Sequence, residues 1–168
     1  MEAFDGTPGQ PLLVRSLVRK LVLHLEHGSS DEVTRVSFKR LLGKFSFPEL
    51  SKLMRAENIA LGNDYVRLRG HEKANMVGSR CVIADDVAQS EYFPGILSAM
   101  WTFDDFPPDL FGFREAGQYS VAGTSYRFSI AYYDREFSAK VDPMGVEPHR
   151  VLTLKKVHSK QPRAILLS

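Results

Sequence analysis

The chain has 168 residues, 43% hydrophobic and 25% charged, a globular balance that excludes a disordered or fibrous protein. Its formal charge of +2, from 22 basic and 20 acidic residues, selects no partner by itself. The single cysteine, Cys81, excludes an intramolecular disulfide and a multi-cysteine zinc site and suits a reducing compartment.

Residues 11–27, PLLVRSLVRKLVLHLEH, put Leu13, Val14, Leu17, Val18, Leu21, Val22 and Leu25 at spacings of three and four, between Pro11 and Gly28. The spacing predicts an amphipathic helix whose other face carries Arg15, Arg19, Lys20 and His24. EVTRVSF then alternates as a short strand does, and Ser37 is placed to cap a short helix, FKRLLGKF; one helix from Asp31 to Phe45 fits the same residues equally well. In KFSFPELSKLM, Ser46 is an N-cap, Glu49 completes a capping box, Phe45 and Leu50 are spaced as a hydrophobic staple, and Pro48 lies in the first turn. The helix expected over 47–57 buries Leu50, Leu53 and Met54 and presents Ser51, Lys52 and Arg55. In NIALGNDYVRLRG two short apolar runs flank Gly62-Asn63-Asp64, the chemistry of a three-residue hairpin loop, with Arg67 and Arg69 on its outgoing strand.

Helix, short strand, helix, helix, hairpin is the order of a winged helix. The stretch Phe45-Ser46-Phe47-Pro48-Glu49-Leu50-Ser51-Lys52-Leu53-Met54, followed by Tyr65-Val66, resembles the core of LOTUS-type winged-helix domains, with residues 12–68 covered. Ser46 stands where that family has glycine and Glu49 where it has a small polar residue. The resemblance implies an RNA-pathway module that binds RNA, or docks an RNA helicase, through its winged-helix surface.

Gly70–Ser79, polar and glycine-flanked, is the expected linker. Beyond it, Tyr126, Phe128, Ile130 and Tyr132 alternate onto one face, EFSAKV repeats the pattern with Phe137, Ala139 and Val141, and RVLTLKKV supplies another strand. An antiparallel meander is expected, with GILSAMWTF before it as a short helix or strand. The organisation read from the sequence is α+β: a winged-helix-like helical unit over 11–70, a small antiparallel β-sheet unit over 80–158, and a flexible basic tail over 159–168 whose Ile165, Leu166 and Leu167 are a candidate docking peptide.

Candidate chemistry is sparse. His24 and His27 lie three apart without the H-E-x-x-H pattern, and solvated helix-end histidines are the expected reading. Asp85-Asp86, Asp104-Asp105 and Asp134, Glu136 and Lys140 invite a metal-dependent hydrolase, but Ser138 stands where a nuclease of the acid-x-lysine type needs an acid. No G-x-S-x-G, P-loop or dinucleotide glycine run occurs, and Cys81 beside Val82 and Ile83 reads as a core thiol. No catalytic residue, metal site or cofactor is therefore expected.

The charges, in contrast, are segregated. Residues 11–70 hold 11 Lys/Arg against 6 Asp/Glu, net +5, whereas Cys81 through Phe113 hold six acids and no base. The expected function is non-enzymatic binding of nucleic acid, RNA rather than DNA, or an adaptor role, with phosphates contacted by Lys39, Arg40, Lys52, Arg55, Arg67 and Arg69. The alternative is a protein-interaction or self-assembly module, a homo-oligomer included, using the helices and the acidic aromatic stretch of Tyr92, Phe93, Trp101, Phe103, Phe106, Phe111 and Phe113. MEAFDGTPGQ lacks the pattern of a signal peptide and no apolar run reaches a membrane span, so a cytoplasmic or nuclear location without a membrane partner is expected.

Overall fold

The computed structural model describes residues 10–26, 32, 36, 39, 43–73, 79–107 and 111–157. Helix α1 (Gln10–Glu26) buries Val14, Val18, Leu21 and Val22, the stripe its spacing predicts, against Leu50 and Leu53 of helix α2 (Phe47–Lys73). Phe45 and Leu50 fall in this same cluster, as the staple requires. At the start of α2 the Ser46 N–H donates to Glu49 Oε2 at 2.8 Å, the expected half of the capping box. The Ser46 hydroxyl, however, donates to the same carboxylate oxygen at 2.6 Å instead of capping the backbone. Pro48 offers no N–H there, and a charged carboxylate is the stronger acceptor. The hydroxyl and then the backbone donor of Ser46 hold the Glu49 carboxyl below the usual range.

The expected hairpin after residue 57 is not formed. α2 continues through Gly62-Asn63-Asp64 to Lys73. The reason lies in distant partners. Asn63 is 0% exposed, with its Nδ2 donating to the Phe113 carbonyl at 2.8 Å and to the Tyr132 hydroxyl at 2.7 Å, while its Oδ1 accepts from Arg150 at 3.0 Å. Asp64 is engaged by arginines. Side chains that favour turns by bonding their own backbone stay helical when other elements satisfy them. Gly62 leaves room for the Arg150 guanidinium, whose Nη2 would lie 2.6 Å from a Cβ there. Ala56, Ile59, Ala60, Asn63, Val66 and Arg67 form one continuous buried stripe at helical spacing. The expected linker is partly helix: α2 reaches Lys73 and the first strand opens at Ser79, with 74–78 outside the described residues. The strand-or-helix alternatives over 31–42 fall largely outside them, and the basic tail wholly so.

Strands β1 (Ser79–Ile83), β2 (Ala116–Val121), β3 (Thr124–Tyr133) and β4 (His149–Lys156) form one sheet in the order β1-β4-β3-β2. β2 and β3 make a hairpin whose turn residues Ala122 and Gly123 both have positive φ, and β3 pairs antiparallel with β4. β1 pairs parallel with β4, Ser79 opposite Arg150 and Ile83 opposite Leu154, so the sheet is mixed and not wholly antiparallel. Alternation in a sequence shows which face a residue takes, not which remote strand lies alongside or in which direction. EFSAKV is not a strand either: Asp134 accepts from the N–H groups of Ser138 and Ala139, Phe137 has φ 59°, and only Tyr133 and Lys140 are bridged.

Tyr126, Phe128, Ile130 and Tyr132 share one buried face with Leu152 and Leu154, as the alternation predicts. That face is covered by Val87 of helix α3 (Asp85–Ala88), by Ile96, Leu97 and Met100 of helix α4 (Phe93–Trp101), and by Ile59 and Val66 of α2. The protein is thus α+β, N-terminal helices followed by a four-stranded sheet, and α2 contributes to the apolar clusters on both sides of it.

Candidate anion-binding cleft

Three segments converge where α1 crosses α2 beside the end of α4. Arg15 and Arg19 come from successive turns of α1; Glu57, Asp64 and Arg67 come from one side of α2; Arg114 comes from the segment before β2. They are bonded into a chain. Arg114 Nη2 donates to Glu57 Oε1 at 2.8 Å and its Nη1 lies 2.7 Å from Asp64 Oδ2. Arg15 Nη2 lies 3.3 Å from Glu57 Oε2 and 2.7 Å from the Gly112 carbonyl. Arg67 Nη2 donates to Asp64 Oδ1 at 3.2 Å, while its Nη1 donates to the carbonyls of Met100 and Phe103 at the end of α4. Arg19, 44% exposed, stands 4.0 Å from Asp64 at the mouth.

Arg15, Arg19, Asp64, Arg67 and Arg114 line a cleft of about 420 Å³ together with Leu68, Trp101, Phe103, Asp104, Phe106 and Pro107. The Arg67 guanidinium lies 5.2 Å from the Phe106 ring centroid and 5.7 Å from that of Phe128, within cation–π range. Phe103 packs edge-on against Phe106 at 5.0 Å, which makes the wall firm.

Among the described residues, four arginines line the cleft with Asp64 and Asp104, and with Glu57 beside them the count is four positive to three negative. Burial, opposed by Asp64, lowers the pKa of both Arg67 and Arg114, but an arginine starts so high that it stays charged. The Nε–H groups of these two arginines are buried without a hydrogen-bond partner among the described residues. Arg114 also has φ 55°, a conformation a residue with a side chain seldom takes and that its two carboxylate contacts hold in place. A partly closed site with surplus guanidinium charge and an aromatic wall suits an anion attached to a flat apolar body.

No family model, curated protein or solved structure matches the chain. What the cleft does has to follow from its own chemistry.

Of the expected phosphate contacts whose side chains are described, Arg67 alone lines the cleft, and it does so from inside, 6% exposed, not from a wing. Arg55 donates through Nε and Nη2 to the Pro143 carbonyl at 3.3 and 3.2 Å. Lys39 and Lys52 are exposed. Arg69 lies in α2 with its side chain outside the described residues, and Arg40 is outside them altogether. Reading by sequence left out Arg15 and Arg19 as site residues, although both stand on the polar face of α1. Glu57 and Asp64, two turns apart on α2, were hidden by the supposed hairpin, and nothing near Arg114 in sequence marks it.

The other candidates occupy plain structural places. Asp134 bonds the backbone and hydroxyl of Ser138 in a turn, and the hydroxyl above all lowers its carboxyl pKa. Among the described residues no three His, Cys, Asp or Glu gather as a cation site would need. Burial raises the Cys81 thiol pKa, which disfavours the thiolate. His27 and the His24 side chain lie outside the described residues. Phe93, Trp101, Phe103, Phe106 and Phe113 pack on the sheet core, whereas Tyr92 and Phe111 are exposed. No helix among the described residues is long and apolar enough to cross a membrane.

Proposed function

We propose that this chain is a non-enzymatic nucleic-acid-associated binding protein whose arginine cleft seats a backbone phosphate of the bound strand. The observation that carries this reading is a cleft lined together by four arginines and by Trp101, Phe103 and Phe106. The guanidinium fork matches phosphate oxygens, and aromatic rings accept the face of any base, so the two together suit a nucleotide unit. Lys52 on α2 and Lys20 on α1 are exposed as well, where further phosphates could meet them. The similarity over Phe45–Met54 makes RNA the first nucleic acid to test.

Anisotropy of end-labelled RNA and DNA across a salt series tests the proposal. Affinity should fall steeply with salt, and Arg19→Glu, at an exposed and weakly paired position, should weaken binding about tenfold or more while leaving the fold intact. Failure of both RNA and DNA to bind at low salt overturns it. A second reading, protein interaction or self-assembly, has support in the exposed Phe47, Tyr65 and Leu68 of α2. Light scattering on the same samples decides that reading, which requires a concentration-dependent oligomer.

A further inference from the structure

We infer that the cleft admits one unpaired nucleotide at a time, so that the protein selects single-stranded nucleic acid over duplex; this rests on the reading of the cleft as a phosphate seat. Three observations carry it. The volume, about 420 Å³, lies in the range of a pocket for one small ligand, not of a surface that cradles a double helix. Trp101, Phe103 and Phe106 line the same space as the arginines, with the Arg67 guanidinium 5.2 Å from the Phe106 ring centroid, so a ligand that fills it brings a flat apolar face close to its phosphate. In a duplex every base hides its faces between its neighbours, and only an unpaired base can turn one outward.

The charge count narrows the ligand further. Among the described residues one positive charge is left over between Arg15, Arg19, Arg67, Arg114 and the carboxylates of Glu57, Asp64 and Asp104. A phosphodiester inside a strand carries one negative charge, whereas a terminal phosphate monoester carries nearer two at neutral pH. The cleft therefore balances an internal link of a strand better than a free nucleoside monophosphate. Arg19, 44% exposed and lining the cleft, offers its guanidinium to such a link. The two carboxylates that hold Arg114 fix its guanidinium beside the cleft.

Trp101 is the single tryptophan of the chain and lines the cleft, so its fluorescence reports occupancy directly. A short mixed-sequence RNA, labelled at one end, is titrated as a single strand and again annealed to its complement, with anisotropy and Trp101 emission read together. The single strand should bind about tenfold tighter or more and change the Trp101 emission as a base stacks on the wall. Trp101→Leu should weaken the single strand by about tenfold. Should that variant fail to fold, the emission of the unaltered protein still decides. Equal or tighter binding of duplex, single-strand binding that leaves Trp101 emission unmoved, or a nucleoside monophosphate that binds as tightly as the strand overturns the inference while the proposed function stands. If neither form binds at low salt, the proposed function itself has failed.

Discussion

Asp64 meets three guanidinium groups, those of Arg67, Arg114 and, at 4.0 Å, Arg19, from a position two turns beyond Glu57 on α2. Its charge is what makes two buried arginines tolerable in one place. Removing one member of a buried pair leaves the other uncompensated, at about 3–5 kcal/mol. Asp64→Asn, which keeps the shape and removes the charge, should lower stability by that order, read as a reduced urea midpoint with an unchanged slope. Arg19→Gln at the mouth should cost under about 1 kcal/mol in the same measurement, because an exposed and screened pair contributes little. Arg67 shows how little of this a sequence reveals. Its charge near other bases reads as a phosphate contact, yet the side chain is buried and bonded to the end of α4. Composition says that a residue is charged; the surroundings that decide what the charge does come from elsewhere in the fold.

At the level of elements, local signals were read well and remote ones poorly. Glu49 reaching back to Ser46, the stripe of α1 and the alternation of Tyr126 to Tyr132 all depend on residues within about one turn or two strand positions. Gly117 on β2 belongs to the other kind. A Cβ there would lie 2.5 Å from Cε1 of both Phe103 and Phe128, two rings that close over the strand. Phe103 also lines the cleft, so the missing side chain of Gly117 helps set where the aromatic wall stands. Gly117→Ala should therefore cost about 1–3 kcal/mol through overpacking, despite the better strand propensity of alanine, as a lowered midpoint in chemical denaturation. In the sequence Gly117 is an ordinary glycine.

Across the whole molecule, α2 is the shared member. Leu50 and Leu53 pack with α1, whereas Ile59 and Val66, further along the same helix, pack on the sheet. A single helix that carries both apolar clusters couples them, since either cluster must lose its partner when α2 melts. Leu53→Ala, on the α1 side, should cost about 2–5 kcal/mol, and the loss should show equally in Trp101 fluorescence on the sheet side and in far-UV circular dichroism. A Trp101 transition that the substitution leaves in place would show the two clusters unfolding apart. The cleft lies against the same helix and draws on α1, α2, α4 and the segment before β2, so it exists only when all of them are assembled.

The sequence by itself determined the α+β class, the start of α2, the buried face of α1 and the buried face of β3, because caps and periodicities are interactions between near neighbours. Tertiary structure alone decided that α2 runs through Gly62-Asn63-Asp64, that β1 lies parallel to β4, and that four arginines line one cleft with Trp101. In each case the deciding partner is remote: Phe113, Tyr132 and Arg150 for Asn63, Arg114 for Asp64, β4 for β1. A buried polar group takes the conformation in which its hydrogen bonds are met, and where those partners lie is a property of the fold, not of the neighbouring residues.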